Sequence, residues 1–195
     1  MSTIALAGIT GIVMIGGKSR RMGRDKSTIV LDGISLAERA YRKLQPWCGQ
    51  VVFSGRPHCH SSSDHTFIQD IFPGKGPMGG LYSVMKTLPS PYYLVLAVDM
   101  PDVPAQLLEL LCMTDFAGLV VPRGQDGNLE PMVARYPGTI FPALEASLLA
   151  GEQAMHLFIA SQDVMYLDYQ AAGIHPASLR NLNYPADLRE YGKSL

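Results

Sequence analysis

The chain has 195 residues, 47% of them hydrophobic and 17% charged, a balance expected of a globular fold with a sizeable core. A formal net charge of −1 argues against non-specific nucleic-acid or membrane-surface binding, which requires a broad basic excess. Three cysteines, Cys48, Cys59 and Cys112, are odd in number and form no C-x-x-C pair. They argue against a disulfide framework or structural zinc and fit a cytoplasmic localisation. Residues 2–15 are apolar but lack a preceding cationic stretch, are broken by Gly8 and Gly11, and are too short for a membrane span.

In chain order, the run Ile12-Val13-Met14-Ile15 reads as a buried strand. Residues 35–45 place Leu36, Ala40 and Leu44 on one helical face, with Ser35 as the cap. Gln50 to Ser54 and Phe67 to Asp70 read as strands, and Pro77 to Leu88 as a helix with proline in its first turn. Tyr92 to Val98 is the most continuous apolar run, as expected of a central parallel strand covered on both faces. Beyond it come a helix near 104–111, strands near 118–122 and 131–136, and helices near 139–150 and 153–161. A strand near 164–168 and a helix from 185 close the chain. The alternation predicts an open, mostly parallel α/β sheet with helices on both sides, in one domain spanning 1–195. The only linker-like stretch, Gly55 to Thr66, is too short to divide domains.

The segment after the first strand carries the strongest chemical signal. Gly16-Gly17 permits a tight turn that brings bare N–H groups up to a ligand. Lys18, Arg20, Arg21, Arg24 and Lys26 then crowd five cations into nine residues, in a chain with 16 Lys and Arg in all. Glycine turn plus guanidinium forks suits a polyphosphate. It is not a Walker A loop: the position that must be glycine is Ile12, inside a strand. Gly74-Lys75-Gly76-Pro77-Met78-Gly79 matches G-x-G-x-x-G, with Asp99 20 residues beyond, and leaves a nicotinamide-binding reading open. Its preceding strand is short and polar, however, and Pro73 and Pro77 crowd the turn. His58, Cys59, His60, Asp64 and His65 are metal-like in composition but sit in a Ser-rich surface loop. Trp47 is expected to pack at a helix end, and the methionines to fill the core.

Four stations in order resemble the molybdenum cofactor guanylyltransferases, within the Rossmann-like nucleotidyltransferases. Met14 through Lys26 resembles the family signature L-A-G-G-x-S-x-R-M-G-x-D-K. Asp70-Ile71-Phe72-Pro73-Gly74-Lys75-Gly76-Pro77-Met78-Gly79-Gly80-Leu81 and Val98-Asp99-Met100-Pro101 follow. Asn181-Leu182-Asn183-Tyr184-Pro185-Ala186-Asp187-Leu188 resembles the closing N-x-N-T-P-x-D-L. The resemblance implies a three-layer Rossmann-like fold and transfer of GMP from GTP to the phosphate of molybdopterin, with Mg²⁺ as cofactor and pyrophosphate released. It also implies transient contact with molybdoenzymes or other cofactor-biosynthesis proteins, and no nucleic-acid or membrane partner.

Carried over residue by residue, the resemblance puts Lys26 at the α-phosphate, Arg21 at the β,γ-phosphates and Asp99 on Mg²⁺. Met14, Ile15, Gly16, Gly17, Ser54 and Asp70 would contact the nucleotide, and Asn181 and Asn183 the acceptor. Gly16-Gly17 and a carboxylate at Asp70 favour guanine, whose ring N–H and exocyclic amine form adjacent donors. Four departures leave the acceptor open: bulky Ile15 in the nucleotide turn, Ser54 in place of an asparagine, Glu130 before Pro131, and no arginine in 151–155. A cytidylyl- or sugar-phosphate nucleotidyltransferase and a non-catalytic nucleotide-binding relative remain the alternatives.

Overall fold

The computed structural model describes residues 8–15, 26–56 and 65–182. Seven strands form one sheet: β1 (Ile9–Met14), β4 (Gln50–Ser54), β5 (Thr66–Ile68), β6 (Tyr92–Ala97), β7 (Leu119–Arg123), β8 (Val133–Pro137) and β9 (Val164–Asp168). Their order is β5-β4-β1-β6-β8-β7-β9. All run parallel except β8, which is antiparallel to both β6 and β7. The expected central strand is central, but only its β1 edge is parallel. A two-stranded hairpin, β2 (Val30–Leu31) with β3 (Ile34–Ser35), stands apart from the sheet and was not expected. Its turn needs two residues with positive φ, which Asp32 (51°) and Gly33 (77°) supply.

Helix α1 (Leu36–Leu44) forms as its spacing predicts, burying Leu36, Ala40 and Leu44. Ser35 caps it by accepting from the Glu38 N–H at 3.2 Å, and Ser35-x-x-Glu38 is a capping-box sequence. The other helices are α2 (Gly76–Thr87), α3 (Ala105–Met113), α4 (Phe141–Leu149) and α5 (Met155–Ala160). Before α4, Gly138–Ile140 make a 3₁₀ turn rather than the first turn of the predicted helix. The third predicted strand stops at Ile68, so Asp70 lies in the loop beyond it.

Alternate residues of the strands feed two cores. Val13, Leu94 and Leu96 pack with α1 and α3, whereas Ile12, Tyr93 and Val95 pack with α2, α4 and α5. Helices therefore cover both faces, giving three layers around a sheet whose middle strands are buried on each side. Each fully buried Leu or Val contributes about 1.5–3 kcal/mol, so these strand ends are held firmly. Trp47 packs beside the α1-side core at the end of a 3₁₀ turn, as expected. Met14, Met78, Met85 and Met100 are buried, but Met113 is exposed.

Candidate functional site

Strand β1 is flanked by β4, which follows it in the sheet's outward direction, and by β6 on the other side. That reversal of strand order opens a crevice at the carboxyl ends, the usual ligand position of such sheets. Ile68, Ser54, Met14 and Ala97 form one row across the last rungs, because each is the register partner of the next. The ladder continues slightly beyond: Ile15 N–H donates to the Ser54 carbonyl (3.1 Å) and Val98 N–H to that of Met14 (3.1 Å). Two residues past the row stand Asp70 at one end and Asp99 at the other. Their parent strands lie three strand spacings apart, about 14 Å at the last rungs. A nucleoside triphosphate can bridge that length.

At the β6 end, Lys26 and Asp99 form an ion pair of 2.7 Å (Nζ to Oδ2), with side chains only 16% and 22% exposed. The two residues come from the first and third sequence stations. The fourth joins them, since the Leu182 N–H donates to the Asp99 carbonyl at 2.8 Å and the Leu182 side chain is buried. Asn181 is thereby placed beside Asp99, exposed. Gly16, Gly17, Arg21 and Asn183 lie outside the described residues. The crevice thus pairs a cation for phosphate oxygens with a carboxylate suited to a hard divalent cation. A single carboxylate completed by substrate oxygens and water is the donor set that Mg²⁺ takes, so Asp99 fits that ion. Among the described residues no cluster of three or more metal-ligating side chains occurs.

At the β5 end, Asp70 is half-buried, and burial pushes its carboxyl above the ordinary range while the Arg56 guanidinium pulls it back. The helix α2 reaches this loop closely at Gly80. A Cβ there would stand 2.5 Å from Ser54 Oγ, 2.9 Å from Met14 Cε and 3.7 Å from Asp70 Oδ1. A larger residue there would have to push the Ser54 hydroxyl and the Met14 methyl aside. Ser54, the position where an asparagine was expected, is buried under this contact. Ile15 does not bring bulk to the nucleotide turn as expected: its side chain packs into the core shared with α1.

One residue of this site escaped the sequence reading. Ser83, fully buried in α2, accepts from the Ile71 N–H at 2.8 Å and donates to the Gly79 carbonyl at 2.7 Å. It ties the residue after Asp70 to the helix, aided by the Phe72 and Tyr82 rings 5.1 Å apart. A buried serine inside a helix was the available signal, since such a hydroxyl needs a partner. Ser83→Ala leaves the Ile71 N–H unpaired, costing about 1–3 kcal/mol. The expected result is a lower melting temperature and a raised KM for nucleotide with kcat little changed, read by thermal melts and steady-state kinetics.

The remaining candidates do not join the crevice. His65 packs at a tilt against Tyr41 and Phe53, with ring centroids 4.6 and 5.0 Å away, and its Nε2 lies 3.5 Å from Glu38. It serves packing; His58, Cys59, His60 and Asp64 lie outside the described residues. Glu130 sits in the loop before β8, half-buried, with burial raising its carboxyl. A cavity of about 240 Å³ near Tyr93, Lys86 and Phe141 lies at the opposite end of the sheet. The Tyr93 hydroxyl there is already committed, donating to Leu88 and accepting from Ser90. No helix of the described residues is long and apolar enough to cross a membrane.

Comparison with known proteins gives the same frame. The model of the MobA-like NTP transferase domain matches residues 11–176. A probable molybdenum cofactor guanylyltransferase of Chloroflexus aggregans is 32% identical over 93% of this chain and 92% of its own length. A molybdenum cofactor guanylyltransferase of Rhizobium johnstonii is 32% identical over 93% and 90%. Among solved structures, molybdopterin-guanine dinucleotide biosynthesis protein A from Archaeoglobus fulgidus superposes with a TM-score of 0.77 at 26% identity, covering 95% of this chain and all of that one. The matched span takes in the crevice from the end of β1 through Asp70 and Asp99, and the chain belongs to the MobA-like NTP transferase family of nucleotidyltransferases.

Proposed function

We propose that this chain is a molybdenum cofactor guanylyltransferase, moving GMP from GTP to the terminal phosphate of molybdopterin. The observation that carries the reading is the crevice itself, with a carboxylate for a base at one end and the Lys26–Asp99 pair for phosphates at the other. The names of its relatives favour the same substrates. An oxygen of the acceptor phosphate attacks the α-phosphorus in line, forming a P–O–P bond as the bond to pyrophosphate breaks. Such a transfer needs alignment and charge neutralisation more than covalent help from the protein.

Lys26 holds the α-phosphate region, and Arg21 grips the β,γ-phosphates that depart. Asp99 holds Mg²⁺, which, when bound, draws electron density from the phosphate oxygens and neutralises the charge that builds on them. Met14, Ile15, Gly16 and Gly17 contact the nucleoside through backbone, Ser54 lies beneath it, and Asn181 and Asn183 meet the acceptor beside Asp99. Molybdoenzymes or other cofactor-biosynthesis proteins receive or supply the cofactor by transient contact.

Asp70 accepts from guanine's ring N–H and amine. Asp70→Asn turns one acceptor into a donor against those donors, a mismatch costing about 1–3 kcal/mol in a half-buried site. GTP preference over ATP and CTP should fall about tenfold or more while turnover stays measurable. The test is a molybdopterin-dependent pyrophosphate-release assay across GTP, CTP, ATP and UTP, on wild type and Asp70→Asn. Preference for CTP in the wild type would instead assign a cytidylyltransferase. Nucleotide binding without pyrophosphate release would assign a non-catalytic relative.

A further inference from the structure

Arg56, at the carboxyl end of β4, has no task in the reaction above. It stands two residues past Ser54 on β4, as Asp70 stands two past Ile68 on β5, and Ser54 and Ile68 are register partners. The Gly55 N–H donates to the Ile68 carbonyl at 2.9 Å, so the two chains stay paired up to the residue before Arg56. Adjacent strands lie about 4.8 Å apart, which sets Arg56 beside Asp70 at the mouth of the crevice. The guanidinium is near enough to favour the ionised Asp70 carboxylate. Arg56 is exposed, and no hydrogen bond or ion pair with a described residue holds it.

Guanine keeps its donors and acceptors on neighbouring edges: the ring N–H and 2-amine together, then O6 and N7. A carboxylate matches the first edge, and a guanidinium N–H matches O6 on the second. Adenine carries an amine where guanine carries O6 and would set donor against donor. We propose that Arg56 is a specificity-determining residue that donates to O6 of the guanine whose N–H edge Asp70 accepts. This rests on the reading of Asp70 as the group that meets the base.

The test is equilibrium competition against a fluorescent GTP analogue in Mg²⁺, which needs no acceptor. The competitors are GTP, ITP (O6 kept, 2-amine lost) and 2-aminopurine riboside triphosphate (O6 and the ring N–H lost). Arg56→Met keeps side-chain length and removes every donor. It should weaken GTP and ITP about tenfold each and leave the 2-aminopurine nucleotide within about twofold. Arg56→Lys, which keeps one charged donor, should recover part of the loss.

Equal weakening of all three would mean that Arg56 acts as a general charge on the triphosphate, and unchanged binding of all three that it is a solvated surface group. Either result overturns the proposal. If wild type binds GTP no better than ITP and the 2-aminopurine nucleotide, the reading of Asp70 falls and this proposal with it. If Asp70→Asn abolishes the preference for GTP over ITP but Arg56→Met shows no O6-dependent loss, only the assignment of Arg56 falls.

Discussion

Asp99→Asn should lower turnover on the order of a thousandfold while the fold survives. Metal stabilisation of a phosphoryl transition state supplies several kcal/mol, and each 1.36 kcal/mol is tenfold in rate. Asparagine keeps the shape and one oxygen but loses the charge that holds the cation. The backbone at this position is fixed independently of the side chain, since the Asp99 carbonyl accepts from Leu182 and the Met100 N–H donates to Ala97. A pyrophosphate-release assay at limiting Mg²⁺, run beside a thermal melt, measures both halves of this expectation. Near-normal activity in folded Asp99→Asn protein would remove Asp99 from the metal site.

Lys26→Ala should cost about a hundredfold to a thousandfold in kcat/KM, the usual consequence of deleting one donor aimed at developing charge. Its cause differs from that of Asp99→Asn, and Mg²⁺ separates the two. Loss of Lys26 should weaken nucleotide binding with or without the cation, whereas loss of Asp99 should matter only in its presence. Removing Lys26 also strands a mostly buried carboxylate that it meets at 2.7 Å. The two substitutions should therefore be non-additive, and a double-mutant cycle reads their coupling. Arg21→Ala should behave like Lys26→Ala, whereas Lys18→Ala and Arg24→Ala should stay close to wild type. Equal losses at all four positions would mean a diffuse positive field rather than assigned contacts.

The fold was legible where a residue type had a local duty. Ser35 marked the start of α1, the apolar runs marked β1 and β6, and β9 spans the expected 164–168. Periodicity records which residues are buried, because burial repeats with the geometry of the element. Asp32-Gly33 carried a hairpin signal as plain as any of these, yet β2 and β3 are each too short to show alternation.

Direction and partnership were not legible, and tertiary packing decided them. An apolar run such as Val133–Pro137 reads alike whether its neighbours run with it or against it, so the antiparallel course of β8 emerged only in the sheet. Which face Ile15 takes depends on the pleat at the end of β1, and the pleat turns it into the core rather than toward the crevice. Lys26 and Asp99, 73 residues apart, meet because β1 and β6 are neighbours. The roles of Ser83 and Gly80 depend on how closely α2 lies on the row of strand ends. The residue pattern by itself determined an α/β chain with two glycines and five cations directly after its first strand, and the resemblance of its four motifs pointed to a nucleotidyltransferase. The strand order decided where Asp70 and Asp99 stand, since only pairing across the sheet converts distance along the chain into distance across a site.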